Sequence, residues 1–253
     1  MLQKTIQTDQ LITHIYDTRP EMGKAAARAA ADAIRQVLSE KDTANVVFAA
    51  APSQNEMLAA LAEEDVDFSC VNAFHMDEYL GLRSDDPHAF ASYLNEHIWS
   101  KAPFRSVRCI PAALPAEEAC AAYTGLLKQY PTDVVCMGIG ENGHIAFNDP
   151  PVADFEDPHT VKAVELDPVC RMQQVHDGCF QTLDSVPAYA LTMTVPALMA
   201  ARYLICTVPG ATKAEAVRRM LRGAVDTSCP ASILRRHEHA ELFLDAKSAE
   251  NLL

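Results

Sequence analysis

The strongest constraint on the fold is an alternation along the chain between short apolar runs and segments with helical periodicity. Each run is bounded by polar or turn-forming residues, which is typical of strands buried on both faces of a sheet. Strands that alternate with helices pair in parallel, with helices on both faces of the sheet. The sequence therefore predicts an α/β fold, with a doubly wound, mainly parallel sheet in a Rossmann-like three-layer sandwich. The predicted strands are "NVVFAAAP", "DFSCVNAF", "SVRCIPA", "DVVCMGIG", "YALTMTV", "YLICTVPG" and "AELFLD".

Helices are predicted between these runs, where the polar residues recur with helical spacing. In the first, from Pro20 to Glu40, Lys24, Arg28 and Asp32 share one side and alanines fill the other. Such a flat, alanine-rich face suits close packing on a sheet. The remaining predicted helices are "QNEMLAALAEE", Phe90 to Trp99, Pro115 to Tyr130, "PALMAAR" and "TKAEAVRRMLRG".

Composition limits both the domain organisation and the partners. A chain of 253 residues with 49% hydrophobic residues can bury a core of its own, so we expect a single domain, 1–253. Its formal net charge of −13 repels nucleic acid and anionic membranes, so we expect neither as a partner. The 8 cysteines include no CxxC pair, and "MLQKTIQTDQ" has no apolar core of signal-peptide length. Both features predict a soluble, cytoplasmic protein.

One stretch of the chain is irregular. Pro and Asp residues are concentrated from Asp149 to His159, and no clear periodicity continues to Val186. Long irregular segments in compact domains often cover binding sites. We therefore expect a mobile lid at about 150–186.

Candidate functional residues follow the predicted strands. Ligands of a parallel sheet bind beyond the carboxyl ends of its strands, where this chain has "APSQNE", "HMDEYLGL", "GIGENGHIAFNDP" and "TVPGATK". Asp77 and Glu78 are adjacent, so at most one of them is expected to face a pocket. Lys213 opens a helix after "VPGAT", where backbone N–H groups and one ammonium could hold an anion.

The segment "GIGENGHIAFNDP" allows three interpretations. It could be a simple glycine-rich turn, but a turn alone does not explain His144 and Asp149 directly after a buried strand. It does not fit a dinucleotide-binding loop, because the glycines occur far along the chain and no helix follows them. A catalytic loop is therefore the favoured interpretation. His237 and His239 have the spacing of a metal pair on a strand, but no third ligand is evident, so we expect no metal.

Two segments, "FHMDEYLGL" and "GIGENGHIAFNDPP", together resemble the signature segments of the glucosamine-6-phosphate deaminase/isomerase family. The resemblance continues through "SVPAYALTMTVPALMAA", "VPGATKAEAV" and "CPASILRRH", and so covers nearly the whole chain. The related 6-phosphogluconolactonases share the fold, but Tyr79 after "DE" and "IAFNDP" after the histidine favour the isomerase branch.

The resemblance implies a reaction and a set of catalytic residues. The reaction is the isomerisation and deamination of glucosamine 6-phosphate to fructose 6-phosphate and ammonia, without cofactor or metal. His144 matches the group that opens the sugar ring, and Asp149 matches the carboxylate that orients it, where Glu is commoner. Asn142 matches a nearby position that holds Asp or Asn. Asp77 matches the base that moves a proton from C2 to C1.

The residues expected to hold the phosphate depart from the family pattern. "AAAPSQNE" replaces a glycine-rich loop, so the resemblance leaves Ser53, Gln54 and Asn55 as its donors. Gly143 also belongs to the expected substrate-binding set. Arg171 matches an arginine of the lid, whereas the usual phosphate arginine aligns near His176. Lys213 is the phosphate ligand that the resemblance retains.

Two other functions stay open from the sequence. One is a lactonase-type hydrolase on the same scaffold, and the other is an enzyme or regulator for a different sugar phosphate. The sequence does not indicate an oligomeric state, and a homo-oligomer is possible.

Overall fold

A computed structural model describes residues 1–176 and 178–252 of the chain. Eight of the strands form one sheet, in the order β1-β2-β11-β10-β7-β3-β4-β6, and the other three form a second sheet, in the order β5-β9-β8. The strands are β1 (Leu2–Thr8), β2 (Leu11–Tyr16), β3 (Ala44–Phe48), β4 (Val71–His75), β5 (Asp77–Tyr79), β6 (Ser106–Arg108), β7 (Val134–Met137), β8 (Val161–Glu165), β9 (Tyr189–Met193), β10 (Tyr203–Val208) and β11 (Ala240–Asp245).

The helices lie between the strands, close to the positions predicted from periodicity. A single π turn, Asn95–Trp99, extends the third helix, and short 3₁₀ turns join several elements. The helices are α1 (Arg19–Leu38), α2 (Asn55–Leu61), α3 (Phe90–Leu94), α4 (Ala116–Gln129), α5 (Pro168–His176), α6 (Val195–Met199) and α7 (Ala214–Arg222). Among the described residues, no helix is both long enough and apolar enough to cross a membrane.

Two hydrophobic cores lie on opposite faces of the large sheet. The core under α1 includes Ala26, Ala30 and Ile34, which pack on buried residues of the central strands. The other core lies under α4 and α7 and contains Tyr123 and Met220. All strand pairs of the large sheet are parallel except β1 with β2. The doubly wound, three-layer prediction is therefore confirmed.

The N-terminal hairpin β1–β2 was not among the predicted strands. In β1 nearly every residue is exposed, because the strand is the outer edge of the sheet and pairs only with β2. Its sequence, "LQKTIQT", therefore has no continuous apolar run to reveal it.

The prediction for "YALTMTV" was right about the strand and wrong about its sheet. This segment forms β9, which pairs antiparallel with β5 on one side and β8 on the other. The small sheet lies apart from the parallel one, and its buried apolar residues resemble those of a central parallel strand. β8 and α5 supply regular structure within 150–186, where no elements had been predicted.

The order of the large sheet places its topological switch point between β3 and β7. Strands β4 and β6 lie beyond β3 on one side, and β10 and β11 lie beyond β7 on the other. The loops that leave β3 and β7 diverge there and open a crevice at the carboxyl ends of the strands.

Candidate active site

A small cleft with a cavity volume of about 60 Å³ lies at this switch point and opens to solvent. Its walls come from the loop after β3, the first residue of β5, the loop after β7 and the helix α5. Asp77 and His144 both line it, although they are 67 positions apart in the sequence. The cleft lies where the sequence predicted a ligand, at the ends of neighbouring strands.

The loop after β7 folds tightly around His144. The N–H of Gly140 donates to the carbonyl of His144 at 2.9 Å, and the N–H of Gly143 donates to the carbonyl of Gly140 at 3.0 Å. A Cβ atom on Gly140 would lie 2.1 to 2.3 Å from the imidazole ring. Position 140 therefore has to be glycine if the ring is to occupy this place. The glycines of this segment serve to seat a histidine.

Asp149 and Asn142 hold the histidine. His144 Nδ1 lies 2.9 Å from Asp149 Oδ1. The amide of Asn142 bridges the two residues: its Nδ2 donates to Asp149 Oδ1 at 2.8 Å, and its Oδ1 accepts from the His144 N–H at 2.9 Å. Burial alone would raise the pKa of Asp149, but its contacts with His144, Asn142 and Cys170 outweigh burial, so the pKa lies below its usual value. Asp149 is therefore held as a carboxylate beside the imidazole.

Asp77 and Glu78 have different surroundings, as their adjacency predicted. Asp77 lines the cleft, and its burial, together with the neighbouring charge of Glu78, raises its pKa well above the usual value. Glu78 instead accepts the backbone N–H groups of Phe90 and Ala91 at the start of α3, each at 3.0 Å. One carboxyl group is thus available for chemistry, and the other caps a helix.

A buried histidine supports the strand that leads to Asp77. His75 Nε2 accepts the N–H of Ile110 at 2.8 Å, which requires a neutral ring. Burial lowers the pKa of His75 to about 4, in agreement with that neutral state. Tyr123 holds the same residue from the other side, because its hydroxyl donates to the His75 carbonyl at 2.7 Å. His75 thus has a structural role close to the cleft.

The three residues predicted to replace the glycine-rich loop have separate environments. Ser53 and Gln54 both line the cleft. Gln54 is fully buried, and its Nε2 donates to Ser53 Oγ and to the Thr207 carbonyl, both at 3.1 Å. Asn55 lies outside the cleft lining, where its Oδ1 accepts the hydroxyl of Tyr93.

Gly143, Arg171 and Lys213 also lie outside the lining of this cleft. Gly143 has φ of +90°, and its carbonyl accepts the Ala231 N–H at 2.9 Å on the far side of the loop. Arg171 Nη2 donates to the carbonyls of Leu183 and Val186, each at 2.8 Å. Lys213 ends the 3₁₀ turn Ala211–Lys213 and is buried. Their assignment to the substrate stays a prediction.

Helix α5 contributes cleft residues that the sequence did not reveal. Gln173 and Gln174 line the cleft, and Gln173 Oε1 accepts the Glu141 N–H at 3.0 Å. Cys170, one turn earlier on the same helix, lies beside Asp149. These residues are distant in sequence from both signature segments, and only the packing of α5 against the loop after β7 brings them to the site.

Fold and site together define the chain as a doubly wound α/β protein with a histidine–carboxylate pair in a switch-point cleft. The family described as glucosamine-6-phosphate isomerases/6-phosphogluconolactonase matches residues 17–244. A glucosamine-6-phosphate deaminase of Listeria innocua is 32% identical over 230 residues, which cover 90% of this chain and 96% of that protein. A glucosamine-6-phosphate deaminase of Bacillus thuringiensis is 31% identical over 217 residues, or 85% of this chain and 80% of that one.

Solved structures agree with the sequence matches. A monomeric glucosamine-6-phosphate deaminase has a TM-score of 0.86 at 29% identity, covering 94% of this chain and 99% of that one. The 6-phosphogluconolactonase of Thermotoga maritima has a TM-score of 0.76 at 20% identity, covering 93% of this chain and 99% of that one, which shows a shared fold. This chain belongs to the glucosamine-6-phosphate isomerase/6-phosphogluconolactonase family, and the resemblance drawn from its signature segments is confirmed.

Proposed function

We propose that this chain is a glucosamine-6-phosphate deaminase, which converts glucosamine 6-phosphate and water to fructose 6-phosphate and ammonia. The observation that carries the proposal is the presence of Asp77 and the His144–Asp149 pair in one cleft. The relatives named for this activity cover most of the chain at 31 to 32% identity. Two separate proton-transfer groups are what a combined ring opening and isomerisation needs.

Ring opening is the role that we assign to His144, with Asp149 and Asn142. The step moves a proton from the anomeric hydroxyl to the ring oxygen, and an imidazole can both accept and donate a proton near neutral pH. The carboxylate of Asp149 beside Nδ1 favours the protonated ring after it accepts that proton. Asn142 fixes the distance between the two groups through its contacts with both.

Isomerisation is the role that we assign to Asp77. A base takes the proton from C2 of the opened amino sugar and returns it to C1, while a proton passes from the amino nitrogen to O1, which leaves an alcohol at C1 and an imine at C2. Water then adds to the imine carbon, and ammonia leaves. Burial raises the pKa of Asp77 and thereby strengthens it as a base, which suits the removal of a weakly acidic C–H proton.

The phosphate end of the substrate is assigned to the loop after β3 and to Lys213. Ser53 and Gln54 are supported by their position in the cleft wall. Lys213 carries the positive charge expected for a phosphate ligand. Asn55, Gly143 and Arg171 stay in the proposed substrate-binding set on the resemblance alone.

We further propose that 1–253 is a single functional unit with a lid at about 150–186. The lid is supported by Gln173 and Gln174, which lie within this segment and line the cleft. A cytoplasmic setting is supported by the cysteines, all eight of which are free thiols.

The test couples ammonia release to ketose-phosphate formation across a panel of amino-sugar phosphates that includes galactosamine 6-phosphate. Wild-type protein should release ammonia and ketose phosphate in equal amounts from glucosamine 6-phosphate. Asp77→Asn should lower the rate by about 10² to 10⁴-fold and abolish exchange of the C2 proton in deuterated water. Asp85→Asn, which removes an exposed carboxylate, is the matched control and should exchange at the wild-type rate.

Two outcomes would replace the proposal. Acid release from 6-phosphogluconolactone, without ammonia from any amino sugar, would identify a lactonase. Thermal stabilisation by sugar phosphates without turnover would identify a binding protein. Retained C2 exchange in Asp77→Asn would contradict the role of that residue.

A further inference from the structure

Three potential metal ligands meet behind the cleft. One nitrogen of His144, one carboxylate oxygen of Asp149 and the sulfur of Cys170 all lie within 4.8 Å of one another. All three residues are buried, and Asp149 and Cys170 are each only 1% exposed. Two come from the loop after β7 and the third from α5, so the cluster exists only where the helix packs on the loop.

The histidine and the carboxylate each have a polar atom that the described residues leave without an aligned hydrogen bond. His144 Nδ1 approaches Asp149 Oδ1 at 2.9 Å, but its ring N–H is not aimed at that oxygen. Asp149 Oδ2 is buried without an aligned hydrogen bond, and the thiol of Cys170 beside this carboxylate is only a weak donor. A buried polar atom without a partner costs free energy, and a bound cation would remove that cost.

The ligand set selects the kind of cation. An imidazole nitrogen, a carboxylate oxygen and a thiolate sulfur together suit Zn²⁺, and three protein ligands with one open position are typical of accessible zinc sites. The surrounding charge acts in the same direction. No Lys or Arg is found among the described residues that line the cleft, so no fixed cation there repels an incoming metal ion. His144 also faces the cleft, which gives an ion a route to the cluster.

We propose that His144, Asp149 and Cys170 form an inhibitory binding site for Zn²⁺ and similar thiophilic divalent cations. Binding displaces the Cys170 proton to solvent and occupies the Nδ1 lone pair of His144, so the proton of the neutral imidazole resides on Nε2. The imidazole then no longer cycles between its neutral and protonated forms, so ring opening stops until the ion leaves. The inhibition depends on the proposed function, but the binding of the metal does not.

Binding is tested with Cd²⁺, whose bond to a thiolate produces an ultraviolet charge-transfer band. Metal-free wild-type protein should develop this band with one equivalent of Cd²⁺ and lose it when Zn²⁺ is added. Cys170→Ser should not develop it. The matched control is Cys229→Ser, because Cys229 is also buried and lies against Gly143 of the same loop, on its other side. This control should titrate like the wild type.

Inhibition is tested separately by ammonia release at increasing Zn²⁺, with each variant compared with its own metal-free rate. The concentration needed for half inhibition should rise by at least about tenfold in Cys170→Ser and stay unchanged in Cys229→Ser. Chelation should restore the wild-type rate.

A second variant keeps the proposal testable if Cys170→Ser does not fold. Asp149→Asn should weaken Cd²⁺ binding by at least about tenfold and still give the charge-transfer band at saturation, because the thiolate is retained. The proposal is overturned if Cys170→Ser gives the wild-type Cd²⁺ titration, or if Asp149→Asn leaves the affinity unchanged. Since the Cd²⁺ titration needs no turnover, its result is independent of the proposed reaction.

Discussion

The two sides of the cleft differ in how directly their residues contact and position one another. On the side that we propose is catalytic, His144, Asp149 and Asn142 come from one loop and contact one another at three distances of 2.8 to 2.9 Å. On the anchoring side, the expected phosphate ligands come from three separate segments, and only Ser53 and Gln54 reach the cleft wall. A tightly connected loop preserves its geometry by itself, whereas dispersed ligands depend on the packing of distant elements.

The role of the tightly connected loop around His144 is tested most directly at Gly140. Gly140→Ala should lower kcat/KM by about 10² to 10⁴-fold, because the added Cβ would overlap the imidazole and displace it from its partners. Steady-state ammonia release measures the effect. Gly125→Ala is the control, since no atom lies within 4 Å of a Cβ at that position of α4. Wild-type activity in Gly140→Ala would mean that His144 does not need its observed place.

Glu78, the neighbour of Asp77, makes the free energy of unfolding depend on pH. Burial raises its pKa to about 7, above the usual 4.5, even though backbone N–H groups lower it. The folded state therefore holds the proton more tightly than the unfolded chain. Its stabilising contribution is complete below pH 4.5 and is lost as the pH rises to about 7. The free energy of unfolding should decrease by about 3 kcal/mol over this window.

Denaturant unfolding at a series of pH values measures this decrease. Asp77 adds to it in the same direction, because its pKa is also raised. Glu78→Gln should make the decrease smaller by the part that Glu78 supplies, whereas Glu63→Gln, on the exposed surface, should leave the profile unchanged. A profile that rises between pH 4.5 and 7 in the wild type would contradict this assignment.

Asn142 tests how much of the catalytic geometry its bridging amide supplies. Asn142→Ala removes one hydrogen bond to the carboxylate and one to the loop backbone, so kcat should fall by about tenfold to 100-fold. Asn251→Ala, at an exposed position, is the control for the substitution itself. An unchanged kcat would show that Asp149 positions His144 without the amide.

The smallest effect is expected at Gln174, a cleft-lining residue of α5 to which we assign no proton transfer. Gln174→Ala should raise KM by about threefold to tenfold with little change in kcat, because a neutral hydrogen bond to the substrate contributes modestly. The exposed Gln181 offers a matched Gln→Ala control on the same segment. A fall in kcat instead of a rise in KM would indicate that Gln174 acts in the reaction rather than in substrate binding.

The sequence predicted elements whose signal is local. Strands β3, β7, β10 and β11 are continuous apolar runs, and α1 and α4 have helical periodicity, so each was located without tertiary information. The edge strand β1 has no such signal, because solvent covers most of it. The separate sheet β5-β9-β8 was not predicted, since burial of β9 does not specify which strands pair with it.

The same limit applies to the site. Asp77, His144 and Asp149 follow strands within recognisable segments, and the distinction between Asp77 and Glu78 followed from their adjacency. Cys170 and Gln174 could not be predicted, because α5 reaches the cleft only through tertiary packing. The hydrogen bonds of Arg171 to two backbone carbonyls could not be predicted either, since a sequence match to a lid arginine does not give the direction of its guanidinium group.

The two hydrogen bonds of Arg171 have a consequence for the thermodynamics of binding. By joining α5 to the carbonyls of Leu183 and Val186, they close the chain between these residues into a ring. A ring has fewer conformations to lose than a slack loop of the same length. A ligand that contacts Gln174 therefore meets a segment that is already partly restrained, so ordering it on binding costs less entropy than ordering an untethered loop of the same length would.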